Sequence, residues 1–330
     1  METIPLLDFK LISTKSGRIP SREDWKFVAD ELDKALSTIG FAYVINHDID
    51  HVKISKAFET SKHFFEQPNE VKRKYRKNPT KVHHGYVCPG QEMLHPDSRH
   101  EIRESYDFVA DPTSFTACEI EDFDLANMEL KNECKPVIKK ILKVLAISLG
   151  LDDDEYFVKN SKNIDDYSTA SYSTFRTIFY PRIGDDNVAP NTVRCGEHSD
   201  YGILTILFQD DVGGLQVRTV DQEWISATPV PGSILINTGD LLEYWSNGYF
   251  PATKHRVLIP ETEVNKKTPR QSIVYFVQPD NCVTVAPLGA KYCIGNNVYG
   301  SINAGDYTKQ RLQSTYKYYT KQRLQSTYKY

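Results

Sequence analysis

The sequence predicts a mixed α+β protein in which a helical N-terminal part supports a β-rich core. Apolar residues recur at helical spacing in the first half of the 330-residue chain, and from Tyr172 onward the pattern changes to short β-prone runs. Gly, Pro, Asn and Asp separate these runs, which is typical of a sandwich or a barrel. No polar linker divides the two halves, so we expect one cooperative unit.

The N-terminal part begins with alternating strands and helices. A short strand over Ile4 to Phe9 precedes a helix that Ser21 caps and Gly40 ends. Phe41 to Ile45 is typical of a strand, and a second helix is predicted near His51 to Phe65. The first helix has its apolar positions at helical spacing, namely Trp25, Val28, Ala29, Leu32, Ala35, Leu36 and Ile39.

A long central helix is predicted from about residue 126 to 149, ended by Gly150. Its buried stripe comprises Val137, Ile138, Ile141, Leu142, Leu145, Ala146 and Leu149. Residues 77–100 are rich in Pro and Gly and are expected to form a loop. We expect a single domain over 1–318, with a mainly helical part at 1–150, the β-rich core at about 170–290 and a C-terminal segment at 295–318.

The C-terminus is a perfect tandem repeat. The twelve residues from Tyr307 to Tyr318 recur unchanged from Tyr319 to Tyr330. Two units cannot form a solenoid, and an unaltered copy suggests a recent duplication or an artefact of sequence assembly. We predict that the basic tail 319–330 is exposed and dispensable for catalysis; the alternative is a contact with an anionic surface through its cations.

Composition restricts the classes of function. Hydrophobic residues make up 40% and charged residues 25%, as expected of a soluble globular protein, and no apolar run is long enough to span a membrane. The net charge of −4 argues against nucleic acid as a main partner. Six cysteines without CxxC spacing, and an N-terminus without a secretory signal, predict reduced thiols in a cytoplasmic protein, which we expect to be a monomer.

His198, Asp200 and His255 form a candidate metal site. Side chains two residues apart on a strand point to the same face, so His198 and Asp200 can share one ion. His255 begins another β-prone run downstream. Two histidines and one carboxylate are the ligand set of non-heme Fe(II) oxygenases, although a bare H-x-D tripeptide is a weak signal alone.

Arg270 and Ser272 form a second constellation. On a strand they also face the same side, and an Arg fork binds a carboxylate bidentately while a Ser hydroxyl donates to the same group. The apolar run from Ile273 to Val277 continues this strand into an interior. The alternative is a surface Arg beside a solvated Ser.

These motifs resemble those of one family. From about Ile4 to Tyr318 the chain is similar to the 2-oxoglutarate- and Fe(II)-dependent dioxygenases of the isopenicillin N synthase-like superfamily. Besides the ordered set H-x-D, H and R-x-S, the resemblance lies in residues 4–9, 40–47, 103–108, 197–207, 213–217, 231–240 and 255–257. The chain departs from the family at Asp48, where Gly is usual, and at Ile178, where some plant members have Asn.

The resemblance implies a double-stranded β-helix (jelly-roll, cupin-like) core buttressed by N-terminal and long central α-helices. It implies that His198, Asp200 and His255 bind Fe(II), and that Arg270 and Ser272 hold the distal carboxylate of 2-oxoglutarate. A further phenol hydrogen bond to that carboxylate is expected from Tyr180, which could equally be a half-buried tyrosine with a wet hydroxyl.

For the substrate, the resemblance points to Tyr201 and Phe276, which could equally be core aromatics, and less directly to Tyr86 and Gln91 on the loop. Asn237 and Asp240 are expected to serve a tight turn of the fold.

The implied activity consumes O2 and couples oxidative decarboxylation of 2-oxoglutarate to hydroxylation or desaturation of a small organic molecule. Three alternatives stay open at this point: an oxidase or cyclase of the same fold that does not consume 2-oxoglutarate, a catalytically silent small-molecule-binding protein, and a Zn or Mn isomerase.

Overall fold

Two β-sheets pack against each other in the computed structural model, which describes residues 3–77, 84–92, 94, 100–108, 118–164, 170–183, 192–259, 267–289 and 299–327. The α-helices are α1 (Arg22–Thr38), α2 (His51–Phe65), α3 (Asn69–Arg73), α4 (Phe123–Ser148), α5 (Tyr156–Lys159), α6 (Asp240–Trp245) and α7 (Ala304–Thr327). The strands are β1 (Leu6–Asp8), β2 (Phe41–Ile45), β3 (Gly85–Val87), β4 (His100–Glu101), β5 (Glu104–Phe108), β6 (Thr174–Tyr180), β7 (Thr192–Val193), β8 (Cys195–His198), β9 (Leu204–Gln209), β10 (Leu215–Arg218), β11 (Trp224–Ser226), β12 (Ile234–Thr238), β13 (His255–Val257), β14 (Arg270–Val277), β15 (Thr284–Val285) and β16 (Ile302–Asn303).

The large sheet has eight strands in the order β1-β2-β12-β9-β14-β6-β5-β3. Only its β1–β2 pair is parallel. The small sheet has the order β11-β10-β13-β8, and its pairs are antiparallel. Strands that alternate between two facing antiparallel sheets are the arrangement expected of a jelly-roll core.

Six strands of the large sheet, β2, β5, β6, β9, β12 and β14, contribute side chains both to the helix-covered core and to a cavity on the opposite face. On β14 the helical face carries Ile273 and Tyr275, and the cavity face carries Arg270, Ser272 and Phe276. This two-residue alternation is the reason that the R-x-S spacing places both side chains in the same cavity. Between the sheets, a second core joins Phe41, Tyr43, Ile178, Leu207, Leu215, Val217, Leu235, Val257 and Val274.

The predicted N-terminal elements are present with small shifts. Ser21 closes a capping box with Asp24, and Gly40 follows α1 with a φ of 68°, a conformation that a side chain disfavours. The first strand is shorter than predicted because the Asp8 carboxylate accepts from the Lys10 N–H and starts a 3₁₀ turn at Phe9. The long helix α4 begins three residues earlier than predicted.

Helix α7 contains the first copy of the repeat and continues into the second. The side chains of residues 316–330 lie outside the described residues, so the exposure of the tail 319–330 stays a prediction. Much of the predicted loop also lies outside them, except for its strand β3 and a few neighbours. In the described part of the chain, no helix combines the length and apolar character needed to cross a membrane.

Candidate active site

Strand pairing brings the three candidate metal ligands together. The antiparallel register of β8 and β13 sets His198 opposite His255, with ring centroids 4.2 Å apart. Nε2 of each histidine lies 3.8 Å from Oδ1 of Asp200. One ligand atom from each of the three residues therefore lies within 4.8 Å of the others, a spacing that allows them to bind a single ion.

Backbone carbonyls fix both imidazoles. Nδ1 of His198 lies 2.8 Å from the carbonyl oxygen of Gly196, and Nδ1 of His255 lies 3.1 Å from that of Thr253. A carbonyl oxygen only accepts, so Nδ1 carries the proton and Nε2 keeps its lone pair for a metal. Burial lowers the pKa of His198, and burial together with His198 lowers that of His255 to about 4, which keeps both rings neutral near pH 7.

Two further side chains orient Asp200. The Thr205 hydroxyl and the Asn237 amide each donate to Oδ2 at 2.7 Å, which leaves Oδ1 directed at the histidines. Burial alone would raise the pKa of Asp200, but the two histidines and these hydrogen bonds outweigh it and lower the pKa. The expectation for Asn237 needs correction, because it lies in β12 and contacts a candidate ligand rather than forming a turn.

Arg270 lines the same cavity with 1% of its surface exposed. We call the end of the cavity at Arg270 and Tyr180 the inner end, and the end toward Phe276 the outer end. Nε of Arg270 donates to the carbonyl of Gly213 at 2.8 Å, and its remaining donors reach Gln209 and Ser272 at 3.3 and 3.4 Å. The described residues offer no carboxylate partner to this guanidinium within ion-pair distance. Its charge is therefore available to an anion that enters the cavity.

Tyr180 borders this inner end. It is opposite Arg270 in the β6–β14 register, and the guanidinium carbon lies 5.0 Å from its ring centroid. The side chain is 2% exposed, and burial raises its pKa, so the phenol stays protonated and able to donate. The buried position disfavours the alternative of a wet hydroxyl.

Buried ion pairs line the outer end of the cavity. Arg176 bonds to both carboxylate oxygens of Asp107 and to both of Glu92, with the contacts to Glu92 at 2.8 and 3.0 Å. Lys77 also donates to Oδ2 of Asp107, the oxygen that Nη2 of Arg176 contacts. We refer to Lys77, Glu92, Asp107 and Arg176 as the outer charge cluster; its two cations and two anions balance.

Helix α7 closes one side of the outer end. Thr308, Leu312 and Thr315 recur at helical spacing and line the cavity. Arg311 pairs with Asp240 at 3.0 Å, and its guanidinium carbon lies 4.4 Å from the ring centroid of Tyr201. The expectation that Asp240 serves a tight turn needs correction, since it is the first residue of α6 and anchors α7.

The four substrate candidates separate into two pairs. Tyr201 and Phe276 line the cavity. Tyr86 does not, and instead its hydroxyl donates to Glu104 inside the helical core. Gln91 does not line the cavity either, because its side-chain oxygen accepts from the Cys88 N–H and folds back on its own segment. The latter two expectations are corrected by the structure, and the neighbouring Glu92 takes the place expected of Gln91.

Several cavity residues escaped prediction: Thr205, Asn237, the outer charge cluster and the α7 residues. Strand register assembles them, as in the pairing of Thr205 with Asn237 across β9 and β12. The available signal was an Asp between Tyr106 and Phe108 and an Arg after Phe175, since charges flanked by aromatic residues on buried strands need partners.

The comparisons with known proteins agree with this geometry. Residues 171–279 match the 2OG-Fe(II) oxygenase superfamily model, and residues 4–127 match the model of the N-terminal region of non-haem dioxygenases in morphine synthesis. The chain belongs to the 2OG-Fe(II) oxygenase superfamily. It is thus a 2-oxoglutarate-dependent Fe(II) dioxygenase, with Fe(II), 2-oxoglutarate and O2 as its cofactor and cosubstrates.

Individual relatives match most of the chain. Homoarginine-6-hydroxylase 2-ODD-C23 of Glycine max is 30% identical over 87% of this chain and 88% of its own. The 2-oxoglutarate-dependent dioxygenase htyE of Aspergillus rugulosus is 31% identical over 91% and 96%. The crystal structure of a full-length Neurospora crassa protein in complex with alpha-KG and thymine has a TM-score of 0.81 and 29% identity over 95% and 97%.

Proposed function

We propose that His198, Asp200 and His255 bind the ferrous ion of this oxygenase. The observation that carries the proposal is that each ligand has one atom bonded to the protein and a second atom free for a metal. Nδ1 of each histidine and Oδ2 of Asp200 are hydrogen-bonded to the protein, whereas Nε2 of each histidine and Oδ1 of Asp200 are directed to a common point. Two imidazole nitrogens and one carboxylate oxygen suit Fe(II) and leave room for further ligands. When bound, the iron supplies the redox chemistry of oxygen activation and C–H oxidation.

We further propose that Arg270, Ser272 and Tyr180 hold the distal carboxylate of 2-oxoglutarate. Charge supports this role, because a ferrous ion, Arg270 and the ionised Asp200 sum to two positive charges, which a 2-oxoglutarate dianion neutralises. The guanidinium, the hydroxyl and the protonated phenol are all donors, as a carboxylate requires. Held at its far end, the ketoacid would direct its 2-oxo acid group toward the triad.

The substrate is proposed to occupy the outer end, between Tyr201 and Phe276, beside the outer charge cluster and helix α7. These side chains would orient the substrate and exclude bulk water from the metal centre. We also propose that the protein is a cytoplasmic monomer formed by the single domain 1–318; the six cysteines without CxxC spacing support a reducing compartment.

The test is stoichiometry. Protein purified without oxygen and loaded with Fe(II) is incubated with 2-oxoglutarate, oxygen and a panel that includes homoarginine and thymine, the compounds associated with two relatives. We expect one succinate per oxygen consumed, stimulated by one panel member. Oxygen uptake without succinate would indicate the oxidase reaction, tight Fe(II) binding without uptake would indicate a silent binding protein, and activity with Zn or Mn alone would indicate an isomerase.

A further inference from the structure

Arg103 is a buried cavity arginine whose donors are largely unused. It lines the cavity, is 8% exposed, and directs Nε to the Glu101 carboxylate at 3.1 Å. In the part of the chain that the structure describes, only Glu101 accepts a hydrogen bond from it, and its Nη2 is buried without a partner. Arg176, by contrast, uses all of its nitrogens on two carboxylates.

Strand register locates Arg103 beside the proposed cosubstrate site. Glu104 pairs with Phe179 across β5 and β6, so the preceding residue, Arg103, falls in line with Tyr180. Tyr180 in turn pairs with Arg270 across β6 and β14. Arg103, which directly precedes β5, therefore lies in one row with Tyr180 and Arg270, and all three side chains line the cavity.

A hydrogen-bonded link also joins Arg103 to the metal centre. Glu101, its ion-pair partner, accepts from the backbone N–H of Gly196 at 3.2 Å. The carbonyl of Gly196 is the acceptor that holds Nδ1 of His198. Arg103 is therefore linked through Glu101 and Gly196 to the imidazole of His198, and its charge contributes to the lowered pKa of His198.

A guanidinium in this position is costly unless a ligand completes its hydrogen bonds. A buried donor without an acceptor loses its hydration without compensation, and the loss is greater when the donor is charged. The distal carboxylate of 2-oxoglutarate already has Arg270, Ser272 and Tyr180. The other anionic group that must lie near His198 is the carboxylate at the 2-oxo acid end.

We propose that Arg103 donates hydrogen bonds to the C1 carboxylate of 2-oxoglutarate, the carboxylate next to the 2-oxo group. The proposal rests on the proposed function of the triad and Arg270. Arg103 and Arg270 then bind opposite ends of the same dianion, and Arg103 fixes the orientation of the 2-oxo acid group at the metal.

Two ligands distinguish contacts with the C1 carboxylate of 2-oxoglutarate from contacts with its distal carboxylate. 2-Oxopentanoate has the same five-carbon chain and 2-oxo acid group as 2-oxoglutarate but lacks the distal carboxylate. The dissociation constants of both are measured by the charge-transfer absorption of the Fe(II)-loaded protein without oxygen. Arg103→Met should weaken both ligands by the same factor, about 10- to 100-fold, as expected for hydrogen bonds to a charged group. Arg270→Met should weaken 2-oxoglutarate alone.

Two further variants complete the design. Arg103→Lys keeps the charge without the fork and should recover part of the lost affinity for both ligands; it also tests the proposal if Arg103→Met does not fold. Arg218→Met removes an arginine of the small sheet that pairs with Glu197 and does not line the cavity, so both dissociation constants should stay at their wild-type values.

The outcomes distinguish this inference from the proposed function. If the wild-type protein binds Fe(II) but not 2-oxoglutarate, the proposed function fails. If the wild type binds both ligands and the Arg103 variants match it, or lose affinity for 2-oxoglutarate only, the assignment of Arg103 to the C1 carboxylate is overturned. A drop in Fe(II) content of the Arg103 variants would also overturn it, since Arg103 would then act through His198.

Discussion

The two ends of the cavity use buried polar groups in opposite ways. At the inner end, the triad and Arg270 each keep an atom or a charge available, because their protein partners satisfy only part of them. At the outer end, the outer charge cluster satisfies itself. Buried polar side chains whose hydrogen bonds are incomplete therefore mark where a charged ligand binds. Buried side chains that satisfy one another form a wall that shapes the space for the substrate.

The comparison between the two ends requires that the triad bind iron. Asp200→Ala tests this requirement and is expected to have the largest effect of the proposed variants. This change removes a ligand oxygen and leaves Thr205 and Asn237 without their acceptor. Removal of a residue that hydrogen-bonds to a metal ligand lowers metal affinity by about 10- to 100-fold. Removal of the ligand itself should lower Fe(II) affinity by more than this, and succinate formation should stop. Metal content and succinate yield are measured. Asp211→Ala, an exposed acid, is the control; full iron-dependent turnover by Asp200→Ala would refute the triad.

Arg270→Met tests the charge of the inner end without touching the triad. Losing a buried guanidinium should raise the KM for 2-oxoglutarate by about 100-fold while Fe(II) content stays unchanged, because the lost partner is charged and desolvated. Initial rates of succinate formation at varied 2-oxoglutarate provide the measurement. An unchanged KM would show that the dianion binds elsewhere.

The sequence predicted the inner end better than the outer one for a physical reason. Arg270 and Ser272 are an i and i+2 pair within β14, so the strand period sets their common face, and Asp200 follows two residues after His198, the last residue of β8. The carboxylates of the outer charge cluster meet Arg176 through the pairing of β5 with β6 and through a segment before β4. Such contacts depend on register and loop path, which a single sequence does not specify.

The elements of the fold also differ in this way: local features were predicted from the sequence, and features that depend on distant partners were missed. Ser21, Gly40 and the apolar period predicted α1 closely, because caps and amphipathic spacing are local. The roles of Asn237 and Tyr86 were missed because each depends on a distant partner, Asp200 in one case and Glu104 in the other.

Asn237→Ala would sharpen the comparison by removing a partner while retaining all three ligands. Oδ2 of Asp200 would keep only the Thr205 hydroxyl, so the carboxylate would be less firmly oriented. We expect Fe(II) affinity to fall by about 10- to 100-fold, as measured by competition with a chelator. Asn247→Ala, in the turn after α6, is the matched amide change. Equal affinities of the two variants would limit the role of Asn237 to packing.

Arg311→Met tests whether the outer wall is held by its own contacts. The variant loses the ion pair with Asp240 and the stacking on Tyr201. Because Arg311 is partly exposed, we expect a modest effect, about a three- to tenfold faster tryptic cleavage at Lys309, measured with limiting protease. Lys26→Met removes an exposed ion pair on α1 and should leave that rate unchanged. An equal rate in both variants would mean that packing alone holds α7.

The smallest effect is expected from ending the chain at Tyr318. The described contacts of α7 with the cavity are made by the first copy of the repeat, through Thr308, Leu312 and Thr315. In one continuous α-helix, a shift of twelve residues moves each equivalent position about 18 Å along the axis and about 120° around it. The second copy therefore cannot present the same side chains to the cavity, despite its identical sequence.

Ending the chain at Asp306 is the matched comparison, since it removes both copies. The chain that ends at Tyr318 should form succinate within about twofold of the full-length rate, whereas the chain that ends at Asp306 should lose substrate-stimulated turnover because the outer end opens to water. Equal impairment of both would assign the tail a role in catalysis. Reduced binding to anionic vesicles by the Tyr318 chain alone, with turnover intact, would instead support the surface contact through the cations of the tail.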